Sequence, residues 1–298
     1  MNDRPHRPVA ALVWMGIASV FFSVMSLCAR HVADAVPWAQ MAAMRGAMAW
    51  VVAISVAKAR GLSLSITDKR LSWGRAILGT ISMLVTFYLF GQPSIPLGDI
   101  SAIAALSPIM IALAAPPFLG ERTGRRVWLA TPIGFVGVLV LIQPNFHIAG
   151  HLALLALFGT AVSSAAMILL RKLGGGETPE AVATHFAAVS ALTCTVLSIP
   201  TFAVPAPAPL AWLIASGVAG GLGQLSMTHA YALDNAARVG AAGYIGTVVT
   251  IVLAHVLLGE PTSTAQVSGS AMVILAGLIL AAGAFKAHRL IKTTSPIS

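Results

Sequence analysis

The chain is 298 residues long, with 57% apolar and only 9% charged residues, a mean hydropathy of +0.87 and a formal net charge of +9. A soluble domain carries about 25% charged residues, so this composition excludes a water-exposed globule and turns most of the surface toward lipid. Nor does the positive charge point to nucleic acid, because the cations sit in a few short loops without interleaved aromatic residues.

A helix needs ~20 apolar residues to cross the ~30 Å hydrocarbon core. Ten segments qualify in chain order: 9–29, 37–57, 73–90, 100–119, 127–142, 151–170, 179–199, 210–233, 239–258 and 265–285. Arg4 and Arg7 ahead of the first segment mimic a signal peptide. Leu27 is too large for a lipoprotein cleavage site before Cys28, Arg30 follows at once, and nine apolar segments come after. Segment 1 therefore reads as a membrane helix. The loops are short, and the segments are too long and too evenly apolar for membrane strands.

Lysine and arginine give an orientation. Arg4 and Arg7 precede segment 1, and Lys58, Arg60, Lys69, Arg70 and Arg75 fill the loop after segment 2. Arg122, Arg125 and Arg126 follow segment 4, Arg171 and Lys172 segment 6, and Arg238 segment 8. Lys286, Arg289 and Lys292 follow segment 10. These are 16 of the 18 cationic residues, leaving Arg30 and Arg45. Both termini are thereby expected in the cytoplasm of a bacterial inner membrane. The loops around Asp99, Asn145, Pro205 and Glu260 are expected outside.

Leu119-Gly120-Glu121 closes segment 4 and Leu258-Gly259-Glu260 closes segment 9, 139 positions apart. Arg30 and Arg171 end the first segment of each half, with Ser23 and Ser164 seven residues before them. The chain reads as a duplication, 1–145 and 146–298. Five helices per copy is an odd number, so the copies lie upside down relative to one another. Period and hydropathy point to a transporter built from repeats.

All nine acids (Asp3, Asp34, Asp68, Asp99, Glu121, Glu177, Glu180, Asp234 and Glu260) fall in tails, loops or segment ends, which argues against a carboxylate-coupled pump. Arg45 is the charge well inside a span, where a cation costs at least ~2.5 kcal/mol. It is read either as an anion contact or as a structural pair with helix-end carbonyls or Asp34. Ser19, Ser23, Ser26 and Arg30 share one face of segment 1; Thr160, Ser164, Met167 and Arg171 repeat it on segment 6. Gln224, Thr228 and Tyr231 share a face of segment 8, and Tyr244, Thr247, Ile251 and His255 a face of segment 9. These faces either line a cavity or bond neighbouring helices and their own backbone. Trp14, Phe22, Phe87 and Tyr88 are candidates to stack a planar substrate, or packing residues. His185, His229 and His255 lie within spans; His229 and His255 are the candidates for proton coupling. Pro108 frees the Ala104 carbonyl in the middle of segment 4. Cys28 and Cys194 are expected as inert buried thiols.

The motifs combine. Arg45 lies in segment 2, and Pro96-Leu97-Gly98-Asp99 leads into segment 4, which contains Ser107-Pro108 and ends in Leu119-Gly120-Glu121-Arg122. Gly134-Phe135-Val136-Gly137-Val138-Leu139 runs toward Gln143-Pro144, Ala230-Tyr231-Ala232-Leu233 precedes a short loop, and Leu258-Gly259-Glu260-Pro261 closes segment 9. Over essentially the whole chain this pattern resembles the drug/metabolite transporter superfamily in its ten-helix EamA-type branch. The resemblance implies a central cavity lined mainly by segments 1, 3, 4, 6, 8 and 9, and a small-molecule metabolite as cargo.

The expectation is an all-α integral membrane protein whose ten transmembrane helices form two inverted five-helix repeats. It is read as a secondary transporter, an exporter on the resemblance, of a small polar or zwitterionic organic metabolite such as an amino acid or derivative. The inverted halves would rock about a mid-membrane site, with coupling absent or weakly carried by an imidazole. The alternatives are an uptake carrier for a vitamin, nucleobase or methyl donor, and a non-transporting membrane sensor or scaffold. The expected partners are the metabolite and the lipid bilayer, with the chain as monomer or homodimer. No cofactor, metal or catalytic residue is expected, because the sequence has no paired nucleophile and base, no metal-spaced cluster and no phosphate-cradling loop.

Overall fold

In the computed structural model, which describes residues 6–92, 97–144, 150–258 and 263–294, every regular element is helical. The first repeat holds α1 (Pro8–Val32), α2 (Trp38–Ala59), α3 (Lys69–Phe90), α4 (Leu97–Ala104), α5 (Ser107–Leu119) and α6 (Arg125–Ile142). The second holds α7 (Gly150–Leu173), α8 (Pro179–Ser198), α9 (Pro207–Leu233), α10 (Ala236–Ala242), α11 (Ile245–Leu258) and α12 (Thr264–Thr294). They supply ten stretches of 18 to 27 residues long and apolar enough to span a membrane, α4–α5 and α10–α11 each giving one broken span. The outer face is apolar, with Leu192 71% exposed, as lipid contact requires. The second Leu-Gly-Glu motif beyond Leu258, Arg4, Asn145 and the side chains of Arg30, Asp99 and residues 286–298 lie outside what the structure describes.

Local chemistry sets the helix ends. Asp68 caps α3 by accepting the Leu71 N–H at 3.0 Å. The helix therefore starts at Lys69, four residues before the expected start; Arg75, counted among the loop cations although inside segment 73–90, belongs to the span. Pro108 has no N–H to give, so the fourth span breaks: Leu106 N–H turns back to the Ile103 carbonyl, and α5 restarts with proline in its first turn. Where the sequence suggests a freed carbonyl and a kink within one helix, the structure has a break and restart. The ninth span breaks at the matching place without proline, at Gly243 and Tyr244. Gly120, at φ +66°, ends α5 in the left-handed region and turns Glu121 back toward the bundle.

The repeats interlock. The most extensive helix contacts pair α1 with α9, α2 with α8, α6 with α12 and α3 with α7, each across the two copies. Direction is inverted: the start of α1 and the end of α7 meet at one end of the bundle. There the Arg7 N–H bonds the Leu233 carbonyl and Arg171 bonds the carbonyls of Tyr231 and Ala232.

A candidate substrate cavity between the repeats

A cavity of about 500 Å³ occupies the centre of the bundle. Its walls come from α1, α3, α5, α7, α9 and α10, with one residue each from α2 (Arg45), α4 (Ala104), α8 (Phe186) and α11 (Thr247). A chamber of about 130 Å³ adjoins it between α3, α4 and α7. The larger volume suits a metabolite rather than an ion.

The two broken spans meet at this cavity. Tyr244 donates its hydroxyl to the Ala105 carbonyl at 2.9 Å, satisfying an acceptor that the break left without a helical partner. The two residues stand 139 positions apart, the offset of the repeat, so a residue here touches its own counterpart. Such a contact marks the pseudo-two-fold axis, and both residues line the cavity.

Of the residues singled out by sequence, Ser26, Pro108, Gln224, Tyr231, Tyr244 and Thr247 line the main cavity, and Thr160 lines the adjoining chamber. Phe22 and Phe87 also face the cavity. Arg45 and Met167 line it as well, and the others are placed elsewhere. Ser23 donates to the Ser19 carbonyl at 2.8 Å and the Gly246 carbonyl at 3.1 Å, tying α1 to α11. Ser164 donates to the Thr160 carbonyl at 2.8 Å and lies 2.9 Å from Ser107 Oγ, tying α7 to α5. Ser19 is buried against Gly246. Thr228 bonds the Gln224 carbonyl in its own helix. Tyr88 packs edge-on against Trp38, 5.6 Å between centroids. The matched polar face is therefore real but packs between helices at Ser19, Ser23 and Ser164; at Ser23 and Ser164 the hydroxyl bonds the nearest carbonyl.

Both coupling candidates lie outside the cavity lining. His229 stacks on Trp14 at 4.7 Å and meets Glu180 at 3.1 Å, whereas His255 is exposed near the end of α11. His185 bonds Ser72 at 2.9 Å. The premise that no carboxylate is buried also fails. Glu180 is 1% exposed, shared by Arg60 at 2.7 Å and His229, and Asp234 is 0% exposed, held by Arg238 at 2.7 Å and His6 at 2.9 Å. Helix-end position did not mean water contact, because neighbouring helix ends cover both groups. Burial works against the Asp234 charge, but His6, Arg238 and the Asn235 N–H outweigh it and hold the carboxyl below its ordinary range.

Every ion pair among the described residues lies at this same end of the bundle. The centre of the cluster is Glu121, which accepts from Arg171 Nε at 2.6 Å and from the Ala236 N–H that opens α10. The Leu-Gly-Glu motif thus ends one helix and caps another in the opposite repeat.

Sequence reasoning missed Arg75. It is 2% exposed, lines the cavity, and lies with Cζ 4.4 Å from the centroid of the Phe186 ring. The Asp68 cap was the signal that places it inside a helix. Arg45 lines the same cavity and donates to Met25 Sδ at 3.4 Å and Met83 Sδ at 2.8 Å. Asp34 is exposed, and no acid pairs with Arg45 among the described residues.

Known proteins share this plan. A pseudopaline exporter of Pseudomonas aeruginosa is 26% identical over 89% of this chain and 93% of its own length. A riboflavin transporter of Rhizobium johnstonii is 27% identical over 93% and 92%, and an S-adenosylmethionine uptake transporter of Rickettsia prowazekii 21% identical over 66% and 67%. A crystal structure 18% identical in sequence superposes with a TM-score of 0.82 over 93% of this chain and 98% of the other, a likeness of fold alone. The EamA-like transporter family matches each half, over residues 9–143 and 151–282, and the chain belongs to that family.

Proposed function

We propose that this chain is a secondary carrier that moves a small polar organic metabolite across a bacterial inner membrane by alternating access. The observation that supports it most is the cavity. It is mid-span, walled by both inverted repeats, and presents hydroxyl, amide and aromatic groups to one space. A sensor or scaffold gives such a volume no task, and close-packed helices do not leave one without reason. The cavity is complete within one chain, so a single copy is the transporting unit.

The moving bodies are two triplets, α1 with α2 and α9, and their counterparts α7 with α8 and α3. Each draws on both halves, 1–145 and 146–298, so rocking belongs to the triplets and not to either half as a unit. The basic end faces the cytoplasm, with both termini inside, following the positive-inside rule. Its ion pairs, Arg171–Glu121 first, are the contacts that part when the cavity opens inward. Export is the direction we assign, supported by the likeness to the pseudopaline exporter; uptake, as named for the Rickettsia relative, is the alternative.

Counterflow in proteoliposomes tests the reading, with labelled amino acids, nucleobases, vitamins, S-adenosylmethionine and metal chelators. Saturable exchange of at least one class is the expected result. A folded protein that exchanges none of them overturns it. A reporter fused after Ser298 that works only in the periplasm overturns the orientation.

A further inference from the structure

Among the described residues that line it, the cavity holds two guanidinium groups and no carboxylate. Arg75 Nε and Nη1 are buried without a hydrogen-bond partner. Arg45, 7% exposed, has thioether sulfurs as acceptors, which are weak ones. The two like charges also repel one another. Arginines inside a membrane protein normally pair with an acid or with backbone carbonyls, or face a water-filled path. Here both arginines line the cavity, and no acid among the described residues pairs with either.

Packing alone does not call for cations at these places. Arg45 and Phe186 stand 141 positions apart, as do Gly79 and Gly220, the same offset as Arg30 and Arg171. Phe186 sits over Gly79 in one triplet as Arg45 sits over Gly220 in the other. Arg75 has Ser216 as its counterpart. The second repeat thus fills the same two seats with a phenylalanine and a serine.

We propose that the cavity selects a small organic anion bearing carboxylate groups. Their oxygens dock on Arg45 and Arg75, and the planar or aliphatic body lies among Phe22, Phe87 and Phe90. Each guanidinium offers a planar fork that matches a carboxylate with two parallel hydrogen bonds. A zwitterion would bring an ammonium group into a cavity that holds two positive charges and no acid. The cargo therefore narrows from zwitterions to net anions. Its transport consequence rests on the carrier reading, but the charge preference of the cavity is measurable without transport.

The test places a single cysteine at Ser82, on the cavity wall, in a chain with Cys28 and Cys194 replaced by alanine. The probes are two methanethiosulfonates of similar size, one carrying a sulfonate and one a trimethylammonium group. A cysteine at exposed Ser263 serves as the outside reference. After normalisation to Ser263, the sulfonate should react about tenfold or more faster than the cation, as a cleft lined by one sign of charge concentrates the opposite ion. Arg45→Gln and Arg75→Gln should each cut that ratio, whereas Arg75→Lys should keep most of it. Each ratio is taken within one protein, so differences in yield cancel. Equal rates for the two probes, or a ratio untouched by both glutamine variants, overturns the proposal and leaves the carrier reading standing. In counterflow, phthalate and succinate should compete with a transported compound better than phthalamide and succinamide; amides that compete equally overturn it as well. A strong sulfonate preference with no flux of any compound condemns the carrier reading instead.

Discussion

In the first repeat Ser23 reaches from α1 to the Gly246 carbonyl of the broken ninth span; in the second, Ser164 reaches from α7 to the Ser107 carbonyl of the broken fourth span at 3.4 Å. Ser23 and Ser164 are 141 positions apart and Ser107 and Gly246 139, so these are one clamp made twice. The cavity-facing seats contrast with this. Arginine stands at 45 and 75 where the other copy has Phe186 and Ser216. The clamp that ties each first helix to the opposite broken span is kept in both copies, because packed membrane helices need it wherever they cross. Groups that meet the cavity are free to differ, since their partner is the cargo and the cargo has no symmetry to respect. Duplication built the scaffold, and departure from duplication marks the recognition surface.

The sharpest way to break this comparison is to fill the matched glycine seats. An added methyl at Gly79 would overlap Arg75 Nη1 and come within 2.7 Å of the rigid Phe186 ring. At Gly220 it would meet Met25 Sδ at 2.8 Å, the flexible end of a thioether, with Arg45 further off at 3.3 Å. Gly79→Ala is therefore expected to cost about 1–3 kcal/mol by overpacking and Gly220→Ala less than about 1 kcal/mol. Exchange by Gly79→Ala should fall furthest, because the displaced group is a cargo ligand. Melting temperatures and initial exchange rates measure both; equal losses at the two sites would erase the distinction between symmetric seat and asymmetric occupant.

Tyr244 offers the next largest effect. Its hydroxyl joins the two copies on their own axis, and Ala105, its counterpart, returns nothing of the kind. Tyr244→Phe keeps the ring, which packs against Gly134, and leaves the Ala105 carbonyl without its donor. The expected loss is about 1–3 kcal/mol, the penalty for an unsatisfied buried acceptor. An unchanged melting temperature would mean that water replaces the hydroxyl and that the crossing is wetter than drawn.

The ten spans and their inversion could be read from residues alone, because hydropathy and charge asymmetry act locally; Pro108 marked the place of a disturbance but not that the helix breaks there. The cavity could be read only in part. Gln224, Tyr231 and Tyr244 face it as the helical spacing suggests, but so do Arg45 and Phe186, from spans that give it one residue each. Spacing identifies which residues share a face; it does not say what that face meets. Ser23 and Tyr231 are each on a polar face, and one meets a helix while the other meets the cavity. Arg75 was lost because it was counted with the loop cations although it lies inside segment 73–90, and Glu180 to the assumption that a helix end is wet.

The clamps themselves give a smaller effect. Ser23→Ala and Ser164→Ala should each cost about 0.6 kcal/mol, the usual worth of a hydrogen bond between membrane helices, and the two should be alike. Ser23→Cys and Ser164→Cys should resist a water-soluble thiol reagent that labels a cysteine at Ser82, since both serines are buried between helices, bonded to a carbonyl of their own helix and close to one of the neighbour. Rapid labelling at either serine, slowed by cargo, would return it to the cavity wall.

Ser19 and Thr160, one turn before the clamp serines, give the finest comparison. They are counterparts 141 positions apart and both are buried. Thr160 donates to the Ala156 carbonyl at 2.8 Å, but Ser19 Oγ has no partner and rests against Gly246. A buried hydroxyl without a partner opposes folding by on the order of 0.5 kcal/mol or more. Ser19→Ala removes it and should leave the melting temperature unchanged or slightly raised. Thr160→Val is nearly isosteric and deletes a satisfied hydroxyl, so its melting temperature should fall slightly. Opposite signs at equivalent positions are the prediction. A clear loss of stability in Ser19→Ala would mean that its hydroxyl has a partner, most simply a water held between α1 and α11, and the two copies would then match here as well.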